Sequence, residues 1–416
     1  MLIKRRSILK GLAATPLFLS GLSAEAAGDN GTIVVVVGLN GGNDGLNTVI
    51  PLKQYAQYNK LRSPPGSGGS IAYLQPQLQV TAFDPNPATP AGSATQFAFS
   101  PDMPEMRQLY GTGKLAVIMG IGLPNAELAP LSHFNAWSDW STGQINVSSG
   151  ALPPGWLGAA FATGGSGALG PTASMNGGQL VATTKGSQGL VVGRPEDFNL
   201  TSPYYVPQFE LGSAYQRMLG IKPTNASATV ARNVTSATLN AVGAMQGYAQ
   251  LAQDYPDSNS ELASQLRVIA QMIIGGSGVR GYVAVEYGFD THSGQNNDHP
   301  QLLQDVSQSL TQFYAYLKQK KVSKNVLIVT ISDFGRTPGA NLSLGTDHGA
   351  ASVAFVIGDM VKGGAYGTYP SLTNFDDNGN LLVHVDFRNL LSDVIQAAGG
   401  NPTPILGTTY PKLGFI

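Results

Sequence analysis

Asn325-Val326-Leu327-Ile328-Val329-Thr330-Ile331-Ser332-Asp333-Phe334-Gly335-Arg336 passes abruptly from a continuous apolar run into a polar turn. Such a run, apolar at odd and even positions alike, predicts a strand buried on both faces, as parallel strands are. It delivers a carboxylate, Asp333, at its carboxyl end. Farther along, Thr346-Asp347-His348-Gly349 is followed at once by another apolar run, 353–357. Open α/β sheets bind ligands outside the carboxyl ends of their strands, so Asp333 and His348 are candidate neighbours.

Working outward, three further stretches repeat the pattern of a strand that breaks into a polar loop. Residues 32–37, almost all valine, lead into Gly38-Leu39-Asn40-Gly41-Gly42-Asn43-Asp44-Gly45-Leu46-Asn47. Residues 114–122 lead through 124–131 to Ser132-His133-Phe134, and residues 281–287 lead to Gly288-Phe289-Asp290-Thr291-His292. Helices are expected between them: from a Ser100 cap and Pro101 to about 110, over 236–255 and 258–274, from His299-Pro300 to about 320, and over 386–398. Leu239, Val242, Met245, Tyr248 and Leu251 recur at helical intervals. The alternation predicts an α/β fold with a largely parallel central sheet flanked by helices on both faces. Residues 63–100, rich in Pro, Gly, Ser and Ala, are expected to form surface loops. Residues 143–233 are expected to be an insertion or cap within a single domain spanning 27–416.

Charged residues make up 12% of the chain, against about 25% in typical soluble proteins. The N-terminus carries Lys4-Arg5-Arg6, a short apolar segment broken by Pro16, and the small-residue site Ala24-Glu25-Ala26. This is the pattern of a twin-arginine export signal over 1–26, too short to span a bilayer. It predicts a periplasmic or envelope location and the twin-arginine translocase as a transient partner. Its removal leaves 20 of the 24 basic and 24 of the 25 acidic residues, a net charge of −4. Neither that balance nor any basic cluster favours nucleic acid or an anionic membrane as a partner. No later run is long enough for a stable membrane span. The absence of cysteine excludes disulfides, thiolate metal sites and cysteine nucleophiles.

Of the five histidines, His133, His292 and His348 fall at polar loop or helix-start positions just past apolar runs. Asp290 and His292, one residue apart in extended backbone, point to the same side and can grip one cation, with His348 as the natural third ligand. Ser132 opens a helix whose amides would stabilise an oxyanion, which makes it a candidate nucleophile, with His133 beside it. Arg336 is a candidate for holding an anionic substrate through paired hydrogen bonds. The glycines after the first strand do not have the G-x-G-x-x-G spacing of a dinucleotide site. Trp137, Trp140 and Trp156 offer a weaker possibility, a carbohydrate platform.

The ordered set 39–47, Ser132-His133-Phe134, Gly155-Trp156-Leu157-Gly158, 288–292, 332–336 and 346–349 resembles the exported bacterial family called domain of unknown function 1501. That family is similar to the alkaline-phosphatase-like superfamily of phosphatases, sulfatases and phosphoglycerate mutases. The resemblance implies an alkaline-phosphatase-like α/β sandwich and one or two divalent ions: zinc, magnesium, manganese or calcium. It implies Asp290, His292 and His348 as ligands of a first metal, Asp333 of a second, and Asp44 as the acid after the first strand. This sequence departs from the superfamily where Phe334 stands in place of a second-metal histidine and where the Asp290/His292 spacing is two, not four. The formylglycine pattern of sulfatases is absent.

Two functions are expected from these residues. The first is an exported metal-dependent hydrolase of phosphate or sulfate esters, acting on a small anionic substrate with a degenerate second metal site. The alternative is a non-catalytic envelope binding or assembly protein that retains the hydrolase fold.

Overall fold

The structure, a computed structural model, describes residues 31–124, 131–145, 153–162, 169–175, 179–183, 190–193, 208–256 and 259–416. The expected signal segment, the loop at 125–130 and parts of 143–233 lie outside the described residues. No helix among the described residues is long and apolar enough to cross a membrane.

Nine strands form the central sheet: β1 (Ile33–Asn40), β2 (Leu115–Gly122), β3 (Thr172–Met175), β4 (Leu190–Val192), β5 (Gly281–Tyr287), β6 (Val326–Ser332), β7 (Ser352–Gly358), β8 (Gly364–Gly367) and β9 (Val385–Asp386). Their order is β8-β2-β7-β6-β1-β5-β3-β4, with β9 also pairing β2. All pairs are parallel except those of β7, which runs antiparallel to both β2 and β6. A parallel β7 would need a crossover to the far end of the sheet. Because it is antiparallel, the whole of 333–351 stays at the carboxyl end of β6. Asp333 and His348 are held at one edge for that reason.

The alternate residues of each strand go to opposite cores, as period-two geometry requires. Val35, Val37 and Leu39 pack with Tyr282, Ala284 and Ile328 beneath helices α1 (Pro104–Gly111), α4 (Ala226–Ala249), α5 (Glu261–Ile274) and α6 (Gln295–Gln319). Val34 and Val36 pack with Val283, Leu327 and Val329 beneath α2 (His133–Thr142), α3 (Trp156–Ala160) and α7 (Phe387–Ala397). The fold is therefore α/β, with a mostly parallel sheet covered on both faces.

Several boundaries differ from expectation. Helix α1 starts at Pro104 after Met103, while Ser100 Oγ accepts from Asp102 N and bonds Tyr73 Oη and Asp102 Oδ2 in a local turn that precedes the helix. Helix α4 begins at Ala226, where the Asn225 side chain caps Ala228 N at 2.8 Å. Helix α6 begins a turn before His299, which is then buried inside it beside Pro300. Residues 63–100 contribute Ala82–Phe83 and Phe97–Phe99 to a small antiparallel sheet with Val49–Pro51. The stretch 143–233 is more than a cap, since its β3 and β4 extend the main sheet beyond β5. Trp140 and Trp156 are buried in the core and Trp137 packs against it, so the carbohydrate platform is corrected: these rings serve packing.

Candidate metal centre

The carboxyl ends of β1, β5 and β6 crowd together, and glycine makes the crowding possible. A Cβ on Gly41 (φ +118°) would lie 2.4 Å from Asp290 N, and one on Gly42 (φ +85°) 2.7 Å from the Phe334 ring. Both positive φ values also favour glycine. Gly41 N then donates to Asp333 Oδ1 and Oδ2 at 3.2 and 3.3 Å, joining the β1 loop to the end of β6.

Asp290 Oδ1 is the hub of the site. It lies 3.0 Å from His292 Nε2, 3.3 Å from His348 Nε2 and 3.4 Å from His133 Nε2. His292 Nε2 and His348 Nε2 are 3.0 Å apart. Tetrahedral coordination at bond lengths of 2.0–2.1 Å has edges of about 3.3–3.4 Å, so these separations match the spacing of atoms around one shared cation. His133, Asp290 and His348 form the one group among the described residues that could hold a metal by mutual proximity. The side chains of His348, His133, His292 and Asp290 are 23, 34, 45 and 47% exposed, so one side of the centre faces solvent.

The other ring nitrogens decide the tautomers. His348 Nδ1 lies 3.0 Å from the Leu131 carbonyl, His292 Nδ1 3.1 Å from Asp347 Oδ1, and His133 Nδ1 2.5 Å from Asp333 Oδ2. Carbonyl and carboxylate oxygens only accept, so each Nδ1 carries a hydrogen and each ring presents its Nε2 toward Asp290. His133 Nε2 is buried with no hydrogen-bond partner. Nε2 lone pairs and a carboxylate facing one another repel, and a divalent cation held by His133, Asp290 and His348 would relieve that repulsion. Protonating the rings instead would gather several positive charges within a few ångströms. The donor set thus fits a borderline cation such as zinc better than hard, oxygen-seeking magnesium or calcium.

Around the ligands, Phe334 packs its ring 4.7 Å from His133 and 4.5 Å from His348. The residue standing where a second-metal histidine is expected therefore walls two imidazoles. The hydrogen bond that His133 donates to Asp333, opposed by burial and helped by the Asp333 and Asp290 charges, raises the His133 pKa. Burial would raise the Asp290 carboxyl, but its hydrogen bond with the Arg336 guanidinium and the nearby positive charge hold it below the usual range.

The structure brings together His133, Asp290, His292 and His348, and places Asp333 one bond behind them. It separates the other candidates. Arg336 is buried and its donors are spent within the protein: Nε on the Gly42 carbonyl, Nη1 on Thr346, and Nη2 on Gly41, Phe289 and Asp290 Oδ1. It bolts three loops together and has no donor turned toward a substrate, which corrects its expected role. Asp333 is fully buried, with its oxygens taken by Gly41 N and His133, so it orients a ligand where a second-metal role was expected. Asp44 does not join the centre. It is 1% exposed and caps the short helix Gly45–Thr48, with Oδ1 2.6 Å from Arg62 Nη2 and Oδ2 2.6 Å from Gln295 Nε2. Burial would raise its pKa, but Arg62 and the other donors hold it low.

Ser132 occupies the cap position of α2 with extended backbone, and its side chain makes no cap hydrogen bond. It adjoins both His133 and Leu131, the residue whose carbonyl orients His348. Asp347 lay in a motif visible in the sequence without a role assigned to it, and Gln295 carried no signal at all. Acidic residues preceding a ligand histidine were the available clue to Asp347.

The family model described as "Protein of unknown function (DUF1501)" matches residues 32–409. No curated protein matches the sequence. Among solved structures, a protein in the alkaline phosphatase superfamily from Vibrio parahaemolyticus is 10% identical, with a TM-score of 0.38 over 99% of this chain and 79% of that one. A sulfatase from Pseudoalteromonas sp. is 13% identical, with a TM-score of 0.39 over 89% and 68%. The lipoteichoic acid synthase LtaP from Listeria monocytogenes is 8% identical, with a TM-score of 0.37 over 95% and 78%.

Proposed function

We propose that this chain, which belongs to the family described as "Protein of unknown function (DUF1501)", is an exported hydrolase of phosphate or sulfate esters that works from a single divalent cation. The observation that carries this reading is the convergence of three imidazole lone pairs and Asp290 Oδ1, each ring held in place by an oxygen acceptor on its far side. A divalent ion held there would polarise the ester and offset the negative charge of the displacement. Asp333, Asp347 and the Leu131 carbonyl keep the rings aimed, and half-exposed Asp290 and His292 leave the solvent side open to substrate. Ser132, at the amino end of α2 next to His133 and with its hydroxyl free of the cap bond, is the nucleophile of this reading. Engagement of Asp333 by Gly41 and His133 favours one ion over two.

The burial of Arg336 and Asp333 supports a second reading, a metal-binding but non-catalytic envelope protein. One experiment separates the two. Purified protein is assayed for bound metal, then the zinc-loaded wild type and Ser132→Ala are screened against phosphomonoesters, phosphodiesters and sulfate esters. Turnover that Ser132→Ala abolishes supports the hydrolase. Stoichiometric metal with no turnover supports the binding protein, and a protein with no affinity for any divalent ion removes both. Export by the twin-arginine route belongs to the same proposal, on the strength of Lys4-Arg5-Arg6 and the short apolar segment after it. Cytoplasmic retention of a folded reporter fused behind residues 1–30 would refute it.

A further inference from the structure

The two loops that supply most of the ligands, Asp290-Thr291-His292 and Thr346-Asp347-His348, are joined behind the centre by one buried side chain. Gln295, 1% exposed in the first turn of α6, accepts hydrogen bonds at Oε1 from Thr346 Oγ1 at 2.7 Å and from Thr291 Oγ1 at 3.1 Å. Its Nε2 donates to Asp44 Oδ2 at 2.6 Å. Asp44 in turn is held by Arg62 and by the amides of Leu46 and Asn47. Each threonine belongs to a loop that carries candidate ligands, so the amide ties the two loops together beside the backbone bond from Thr346 N to the Thr291 carbonyl at 3.1 Å.

We infer that Gln295 is a positioning residue of the metal centre, clamping the Asp290/His292 loop to the Asp347/His348 loop and using the buried Asp44–Arg62 pair as its fixed end. The inference rests on the metal reading above. Only glutamine meets the demands of the position. It needs a donor at one end for Asp44 and an oxygen at the other that accepts twice. Glutamate would set a second carboxylate 2.6 Å from Asp44 Oδ2, and asparagine is one methylene too short to reach both sides. The arrangement also gives Asp44 a role at this site: it acts on the centre through Gln295 and not as a ligand.

The test measures zinc affinity by competition with a chromophoric chelator, and the visible spectrum of the cobalt(II)-loaded protein, for wild type, Gln295→Leu, Thr346→Val and Thr346→Ser. Thr81→Val, which removes a buried hydroxyl bonded to the Phe99 carbonyl, controls for lost stability. Outer partners of metal ligands typically change affinity by about 10–100-fold. Gln295→Leu is expected to bind zinc at least about tenfold more weakly with an altered cobalt spectrum, and Thr346→Val to follow it in the same direction. Thr346→Ser, which keeps the hydroxyl, restores affinity, and Thr81→Val leaves it unchanged. If Gln295→Leu does not fold, the Thr346→Val and Thr346→Ser pair decides. Wild-type affinity and spectrum in folded Thr346→Val overturn the clamp while leaving the metal reading intact. A wild-type protein that binds no divalent cation overturns both.

Discussion

Two clusters in this protein are built from the same parts. At the centre, Asp290 meets Arg336 and three histidines, and Asp290 and His292 are nearly half exposed. One layer inward, Asp44 meets Arg62 and His299 with almost no exposure. In the inner cluster the carboxylate is matched to donors: Asp44 takes Arg62, Gln295 and two amides, while His299 Nε2 faces Asn43 Oδ1 at 3.1 Å and His299 Nδ1, Arg62 Nε and Asn43 Nδ2 have no hydrogen-bond partner. Burial drives the His299 pKa down to about 4, so the ring is neutral at pH 7. In the outer cluster Asp290 Oδ1 meets the Arg336 guanidinium at 2.6 Å, and the Nε2 atoms of three histidines crowd around the same oxygen. The inner arrangement is closed to solvent and the outer one is open to it, although a list of residue types would not tell them apart.

The sharpest way to break that contrast is to remove a charge from the inner pair. Arg62→Met leaves Asp44 buried and unpaired, and urea unfolding should show a loss of about 3–5 kcal/mol. A protein as stable as wild type would mean that the inner cluster is not structural. In the outer cluster the expected response is the reverse. His348→Ala should weaken divalent-ion binding by about 100-fold or more, while unfolding of the metal-free protein changes little. Titration calorimetry against zinc reads the first, and unchanged affinity would deny His348 its place as a ligand.

Asp333 lies between the two clusters in both position and effect. Asp333→Asn keeps the shape but loses the charge that holds the His133 Nδ1 hydrogen, so zinc affinity should fall about tenfold, a change the same calorimetry resolves. The smallest effect concerns Glu286 on β5, a half-buried carboxylate with neither kind of pairing. Burial first, then the Asp305 and Glu261 charges, push its pKa up to about 7, and its Oε2 has no partner. The folded state therefore holds a proton that the unfolded chain releases near its ordinary value of 4.5. Stability from this group is complete below that value and lost as pH rises toward 7. Glu286→Gln should flatten this slope and stabilise the protein at pH 8 by on the order of 1 kcal/mol, after allowing for partial exposure. Parallel pH profiles of thermal unfolding for the two proteins would refute this.

Much of the layout was legible in the sequence because it depends on local patterning. The unbroken apolar runs at 33–40, 115–122, 281–287 and 326–332 mark strands buried on two faces, and the polar breaks after them mark the ligand-bearing edge. The helix starts were less legible. Asn225 caps α4 by a local bond to Ala228 N and Gln295 opens α6 with its backbone N–H on the distant Leu344 carbonyl, whereas Ser100, a good cap by type, shares its hydroxyl between Tyr73 and Asp102. The region 143–233 read as irregular because its strands in the described residues are only three or four residues long.

For the candidate site, the sequence by itself determined which chemistry could be present: Asp290, His292 and His348 at the ends of strands, His133 at the head of a helix, and no thiol anywhere in the chain. Tertiary structure decided which of these atoms meet. Asp44, Asp333 and Arg336 looked as available as the ligands, and each proved to be buried and saturated by partners from distant parts of the chain. A residue's chemistry belongs to its side chain, but its role depends on which lone pairs and protons its neighbours leave unmatched. Those neighbours here come from positions up to 295 residues apart, as the bond from Arg336 Nη2 to the Gly41 carbonyl shows.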